Sequence, residues 1–272
     1  MSHVAVVQMI SSSDVDKNLK ELEGFFINAH ELGAELLVLP ENFAFMGLNE
    51  RDKYAVAEED GHGVIQNTVS NLAKQYGLWV IAGTIPLRTN SERLKSACIV
   101  YDAMGMQVSR YDKIHLFDVQ ISQEESHKES ATIEPGEAVV VVDTPVGKVG
   151  LSVCYDLRFP ELFQLLLLKG AQIFSVPSAF TAITGKAHWE VMLRTRASEN
   201  LCYVLAANQG GRHDNGRETY GHSMIVEPWG QILGLHEHGK GMVVANIDLE
   251  RQNQLRKQFP CNDHHILNKV TA

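Results

Sequence analysis

The chain has 272 residues, with 24 Lys and Arg against 33 Asp and Glu, a formal net charge of −9. Hydrophobic residues make up 44% and charged residues 21%; a globular chain of this size buries roughly 70–75% of its unfolded surface and needs neither disulfides nor metal to do so. The acidic balance excludes the basic face of a nucleic-acid binder, and no run reaches the ~20 apolar residues of a membrane span, so neither nucleic acid nor membrane is expected as a partner.

In chain order, Val4, Ala5, Val6 and Val7 predict a first strand. Capping side chains at 11–14 then precede Val15, Leu19, Leu22, Phe26 and Ala29, one face of a helix that Gly33 ends. The run 36–39 predicts a buried strand closed by Pro40. A second helix is read through Ile65, Val69, Leu72, Ala73 and Tyr76, stopping at Gly77. Strand runs follow at 79–85, 97–101 and 107–111, with a turn at Met104-Gly105. From 112 to 135 periodicity vanishes, and a long loop is expected, of the kind that carries function. Strands are then predicted at 139–142 and 149–153, a helix opening at Pro160 and ending at Gly170, and a strand at 173–176. Trp189, Met192, Leu193 and Ala197 mark another helix. Strands 203–207 and 220–226 flank an Asn215-Gly216 turn, 242–247 is the last strand, and the tail after Leu249 reads as polar. Alternating strands and helices with hairpins mixed in predict an α/β fold with a mixed sheet or two packed sheets. No stretch reads as a linker, so a single domain over 1–272 is expected.

Cys98, Cys154, Cys202 and Cys261 show no CxxC spacing, against a disulfide framework or zinc ribbon. The start of the chain, MSHVAVVQMISSS, has no basic leader or small-residue cleavage site, so a reducing cytoplasm and free thiols are expected. Among the four, Cys154 stands where a nucleophile is useful: a strand fixes it, a turn exposes it, and the following backbone N–H groups can face an oxyanion. Cys98 and Cys202 read as small buried thiols, and Cys261 as a surface one. A nucleophilic thiol needs a base, and Glu41 follows a buried strand at its carboxyl end, where open α/β sheets place their sites. Lys113 closes the strand 107–111; its charge there would lower the thiol pKa and hold an oxyanion.

Three segments carry a resemblance. Leu37-Val-Leu-Pro-Glu41-Asn-Phe, Tyr111-Asp-Lys113-Ile-His-Leu-Phe and Gly150-Leu-Ser-Val-Cys154-Tyr-Asp-Leu-Arg-Phe-Pro-Glu161 resemble, in order, the three signatures of the nitrilase superfamily of carbon–nitrogen hydrolases. The resemblance extends to Met242-Val-Val-Ala-Asn-Ile-Asp248. It implies a four-layer αββα sandwich and a cysteine-dependent hydrolase with Glu41 as general base, Lys113 as oxyanion stabiliser and Cys154 as nucleophile, the Tyr155 backbone N–H adding to the oxyanion hole. It also implies a second loop glutamate. His127-Lys128-Glu129-Ser130 matches that motif except that His replaces an aromatic residue, which selects Glu129 over Glu124 and Glu125.

Ser178-Ala-Phe-Thr181, His188-Trp-Glu-Val191, Gly210-Gly-Arg-His213 and Tyr220-Gly-His-Ser-Met224 look like the branch of deaminated-glutathione amidases and ω-amidases. The implied reaction takes a small ω-amide to carboxylate and ammonia through a thioester, with deaminated glutathione as expected substrate. 2-Oxoglutaramate, or a nitrile or N-carbamoyl amine, is the alternative. Arg158, Thr181 and Arg212 are the candidate substrate-binding residues; Arg194, with Glu190 four residues before it, reads as a surface ion pair, and Arg196 is a further cation to consider. The family implies a homodimer and no cofactor. His236-Glu-His238 and His264-His265 read as solvated loop and tail, so no metal is expected.

Overall fold

In a computed structural model of the chain, residues 2–121 and 126–266 are described. Strand β1 (Ser2–Gln8) leads through helix α1 (Val15–Glu31) to β2 (Leu36–Leu39), and a short turn α2 (Lys53–Val56) and helix α3 (Val64–Tyr76) lead to β3 (Trp79–Leu87). β4 (Lys95–Tyr101) and β5 (Gln107–Asp112) complete this half. A small hairpin, β6 (Asp118–Gln120) with β7 (Ser126–Lys128), and a 3-10 turn, Glu129–Ala131, follow. The second half has β8 (Val141–Thr144), β9 (Gly147–Leu151), α4 (Pro160–Leu168), β10 (Ile173–Ser175), α5 (Ala182–Asn200), β11 (Tyr203–Ala206), β12 (Ser223–Val226) and β13 (Ile232–His236). β14 (Gly241–Ile247) and α6 (Leu249–Gln258) close it.

The strands form two six-stranded sheets, β14-β1-β2-β3-β4-β5 and β13-β12-β11-β10-β9-β8. At the heart of each lies a parallel trio, β1-β2-β3 or β9-β10-β11, flanked by antiparallel strands. Period-two alternation explains the layering. In β1, Val4 and Val6 join the core containing Leu151, Ile173 and Leu205 of the other sheet, whereas Ala5 and Val7 join Leu22 and Phe26 of α1 and Val69 of α3. Phe163 of α4 and Trp189 and Leu193 of α5 cover the far face of the second sheet. Both faces of the central strands are therefore dry, and they read as continuous apolar runs rather than as alternation. The result is the expected αββα sandwich, with each buried Leu or Val contributing about 1.5–3 kcal/mol.

Helix boundaries follow local chemistry. The Asp14 side chain accepts from the Lys17 N–H to open α1, Pro160 takes the first position of α4, and left-handed Gly77 ends α3. Beyond the short turn α2, which the sequence reading lacks, three further elements differ from it. The 112–135 segment contains the β6–β7 hairpin, β13 was unforeseen, and the polar tail forms α6, in which only Gln252 is buried. Among the described residues no helix is long and apolar enough to cross a membrane.

Candidate active site

Three strand ends converge on one cavity. Glu41 follows β2 by two residues, Lys113 follows β5 directly, and Cys154 lies three residues past β9. The 3-10 turn after β7 contributes Glu129. All four line a cavity of ≈ 30 Å³. The Lys113 Nζ donates to Glu41 Oε1 at 2.8 Å and to both Glu129 oxygens, at 3.1 and 2.9 Å. The four side chains are buried or nearly so, Lys113 being 2% exposed and Cys154 7%. Glu124 and Glu125 lie outside the described residues.

Backbone geometry fixes each position. β3 bulges between Ala82 and Ile85, and Gly83 there has a φ of +37°; a Cβ on it would lie 1.9 Å from the Pro40 carbonyl oxygen, so only glycine lets β3 approach the end of β2 so closely. The Thr84 hydroxyl in that bulge accepts the N–H of Asn42, at 3.0 Å. Cys154 sits at φ 49°, a left-handed conformation that is strained for a non-glycine residue. Its N–H donates to Pro177 O at 2.9 Å. Asp156, fully buried, ties this turn to the Lys113 segment: its carboxylate accepts from the Val153 N–H (2.8 Å), the Tyr111 hydroxyl (2.6 Å) and the His115 N–H (3.0 Å), with His115 Nδ1 at 2.7 Å. The His115 ring stacks on Phe159 with centroids 3.6 Å apart.

The charges compensate one another. Burial disfavours the Lys113 ammonium, but Glu129 and Glu41 outweigh it and hold its pKa well above the ordinary lysine value. Burial likewise pushes Glu129 up, yet Lys113, with help from Lys53 and the Phe117 N–H, holds it below the usual carboxylate range. The Cys154 thiol goes the other way from the sequence expectation. Burial pushes its pKa well up, and the Glu41 carboxylate adds to this by charge and as hydrogen-bond acceptor; Lys113 and the Ala179 N–H act downward without winning. The resting group is a thiol facing a carboxylate, an arrangement suited to proton transfer during attack rather than to a standing thiolate.

A second cavity of ≈ 570 Å³ adjoins the first and shares Asn42, Glu50, Lys53, His127 and Arg217 with it. Its size suits a small-molecule site. Arg158, Thr181 and Arg212 line neither cavity. Arg158 turns outward against His188 Nδ1 (3.3 Å) and the Tyr155 and Phe180 rings. Thr181 accepts from the Thr184 N–H as the cap of α5, and Arg212 is exposed. Arg194 pairs with Glu190 at 3.0 Å, and Arg196 grips the Leu157 carbonyl behind the Cys154 turn. Besides Lys113, the cations that reach the cavities are Lys53, at the start of α2, and Arg217, in the loop before β12, neither of them within the three signatures. The only sequence signal was the Asn215-Gly216 turn that precedes Arg217.

Residues 3–257 match the carbon–nitrogen hydrolase family model. The chain belongs to the carbon–nitrogen hydrolases. It is 40% identical over 267 residues to a deaminated glutathione amidase of Yersinia enterocolitica, covering 97% of this chain and 93% of that one. Among solved structures, this carbon–nitrogen hydrolase superposes on the Saccharomyces cerevisiae protein Nit3, a member of branch 10 of the nitrilase superfamily, with a TM-score of 0.86, 30% identity and coverage of 98% and 96%. The Caenorhabditis elegans NitFhit protein matches with a TM-score of 0.90 and 38% identity over 97% of this chain; the chain spans 65% of that protein. The fold is thus that of the nitrilase superfamily, and the protein is an enzyme of carbon–nitrogen bond hydrolysis.

Proposed function

We propose that the protein is an amidase in which Cys154 is the nucleophile, Glu41 the general base, Lys113 and the Tyr155 N–H the oxyanion donors, and Glu129 the group that holds Lys113 in place. The observation that carries this reading is the Lys113 ammonium bridging two buried carboxylates, at 2.8 and 2.9 Å, beside the Cys154 thiol. Glu41 takes the thiol proton as sulfur attacks the amide carbon. The oxyanion forms against Lys113 and the Tyr155 N–H, the Cys154 N–H being taken by Pro177 O and the Asp156 N–H by Val153 O; each such donor contributes about 3–4 kcal/mol to the transition state. Glu41 returns the proton to the leaving nitrogen, the amine departs, and a thioester remains. Water then yields a proton to Glu41 and attacks the thioester; the sulfur leaves and is reprotonated, releasing the carboxylate.

Deaminated glutathione is the substrate this reading favours, supported by the relative of that name. From a primary ω-amide such as 2-oxoglutaramate the leaving amine is ammonia. In deaminated glutathione the amide nitrogen belongs to cysteine, so the amine released is cysteinylglycine. The same reading takes the chain as one hydrolase domain over 1–272, cytoplasmic and homodimeric; the exposed Val191, Trp229 and Phe259 side chains offer apolar surface for the dimer, which sedimentation at micromolar concentration tests.

The experiment compares kcat/KM on deaminated glutathione, 2-oxoglutaramate, a nitrile and an N-carbamoyl amino acid for wild type and Cys154→Ala. Fastest turnover of deaminated glutathione, abolished in a folded Cys154→Ala variant, is expected. Preference for another substrate replaces the substrate assignment, and turnover without Cys154 overturns the mechanism.

A further inference from the structure

The larger cavity contains one cation that is prepared and unmatched. Lys53 and Arg217 both border the two cavities. Lys53 Nζ is already paired with Glu50 at 2.6 Å. Arg217 has no ion pair among the described residues; its Nη2 donates to the main-chain carbonyl of Ala179, and its Nε is buried without a hydrogen-bond partner. A buried guanidinium N–H without an acceptor is unfavourable unless a ligand supplies one.

The loop bearing Arg217 is held as though for a ligand. His213, 4% exposed, spans from Ser11 O to the Thr219 hydroxyl, both at 2.8 Å. Asp214 accepts from the Ser13 N–H at 2.9 Å, and the Asn215 amide donates to Gly47 O at 2.8 Å. Arg217 itself donates its N–H to Asn215 Oδ1 (2.9 Å) and accepts from the His213 N–H (2.9 Å). A loop tied on both flanks loses little further freedom when its side chain engages an anion.

Resting on the amidase reading, we propose that Arg217 is the specificity-determining residue that binds a carboxylate on the acyl half of the substrate. Guanidinium and carboxylate match as a planar two-point pair. Beside Cys154 the carboxylates Glu41 and Glu129 outnumber the Lys113 ammonium and disfavour a further anion, while Arg217, where the two cavities meet, attracts one. An acyl chain with an amide at one end and a carboxylate at the other is thereby turned amide-first toward Cys154. Because Arg217 also borders the reaction cavity, it continues to hold the acyl half through the thioester after the amine has left. Glu50 and Glu218 also face the larger cavity; Glu50 is neutralised by Lys53, and Glu218 acts against an anion placed on its side, which confines the carboxylate to the Arg217 side.

The test uses two readouts on wild type, Arg217→Gln and Arg217→Lys. The first is the ratio of kcat/KM for 2-oxoglutaramate to that for neutral pentanamide. The second is the ratio of Cys154 alkylation rates by iodoacetate and iodoacetamide, which requires no turnover and so stands if the amidase reading fails. In Arg217→Gln both ratios are expected to fall at least about tenfold, the first chiefly through KM, and Arg217→Lys recovers part of the loss. Arg217 also braces Ala179, whose N–H faces the Cys154 sulfur, so a purely structural role would slow both members of each pair equally. Unchanged ratios, or equal slowing, overturn the proposal.

Discussion

The two adjoining cavities are built by opposite electrostatic rules. In the small one the three charges beside Cys154 are answered: two carboxylates share one ammonium, and all three are buried or nearly so. In the larger one Lys53 is answered by Glu50 but Arg217 is not. A closed set of charges holds its geometry without substrate, as a reaction centre requires. An open one draws a complementary ion from solution, as a recognition surface requires. Chemistry and selection are thus separable within one site.

Breaking the closed set has the largest expected effect. Lys113→Met leaves Glu41 and Glu129 buried without their cation. Activity is expected to fall by at least about 10³-fold, and stability by about 3–5 kcal/mol, read from cysteinylglycine release from deaminated glutathione and from denaturant melts. Adding Glu41→Gln and Glu129→Gln removes the stranded charges. That triple variant is expected to regain stability while staying inactive, whereas a triple variant as unstable as Lys113→Met contradicts the charge accounting.

Loosening the frame comes next. Asp156→Asn weakens the link between the Cys154 turn and the Lys113 segment without touching substrate. A fall in kcat of about 10²-fold with KM nearly unchanged is expected; an equal rise in KM would mean that Asp156 also shapes the recognition cavity. Arg217→Gln, by contrast, is expected to act through KM on anionic amides by about tenfold.

The smallest effect is on pH. Burial lowers the His213 pKa below its ordinary 6.5, and Arg217 lowers it further, against the Ser11 carbonyl and Asp214, which raise it. The unfolded chain therefore takes up this proton more readily than the folded one, and the contribution of neutral His213 is lost as pH falls below about 6.5. His213→Gln is expected to flatten the melting-temperature slope between about pH 7 and 5.5; an unchanged slope would assign it to other groups.

The reaction centre was legible in the sequence because three of its components follow readable strands. Glu41 and Cys154 come after apolar runs of the two parallel trios, whereas Lys113 follows the half-exposed antiparallel edge strand β5. The recognition cavity was not legible, because the loop 42–49 with the short turns after it and the loop 215–218 meet only through tertiary ties such as Asn215 to Gly47. Arg158 was expected there as a cation for the substrate, but it ends the 3-10 turn after Cys154 and turns toward His188. Helix α6 escaped notice because it buries little besides Gln252, whose amide donates to Gln172 O and Leu201 O rather than entering an apolar core. The β6–β7 hairpin has only three residues per strand, too few for alternation to register.

The central claim is that a thiol held protonated at rest becomes acylated by the substrate. Wild-type enzyme mixed with excess deaminated glutathione, quenched in acid within a turnover and digested, is expected to yield the Cys154 peptide heavier by the 2-oxoglutaryl group, and Glu41→Gln to yield none. An unmodified Cys154 peptide during steady turnover, or the acyl group on another residue, would contradict it.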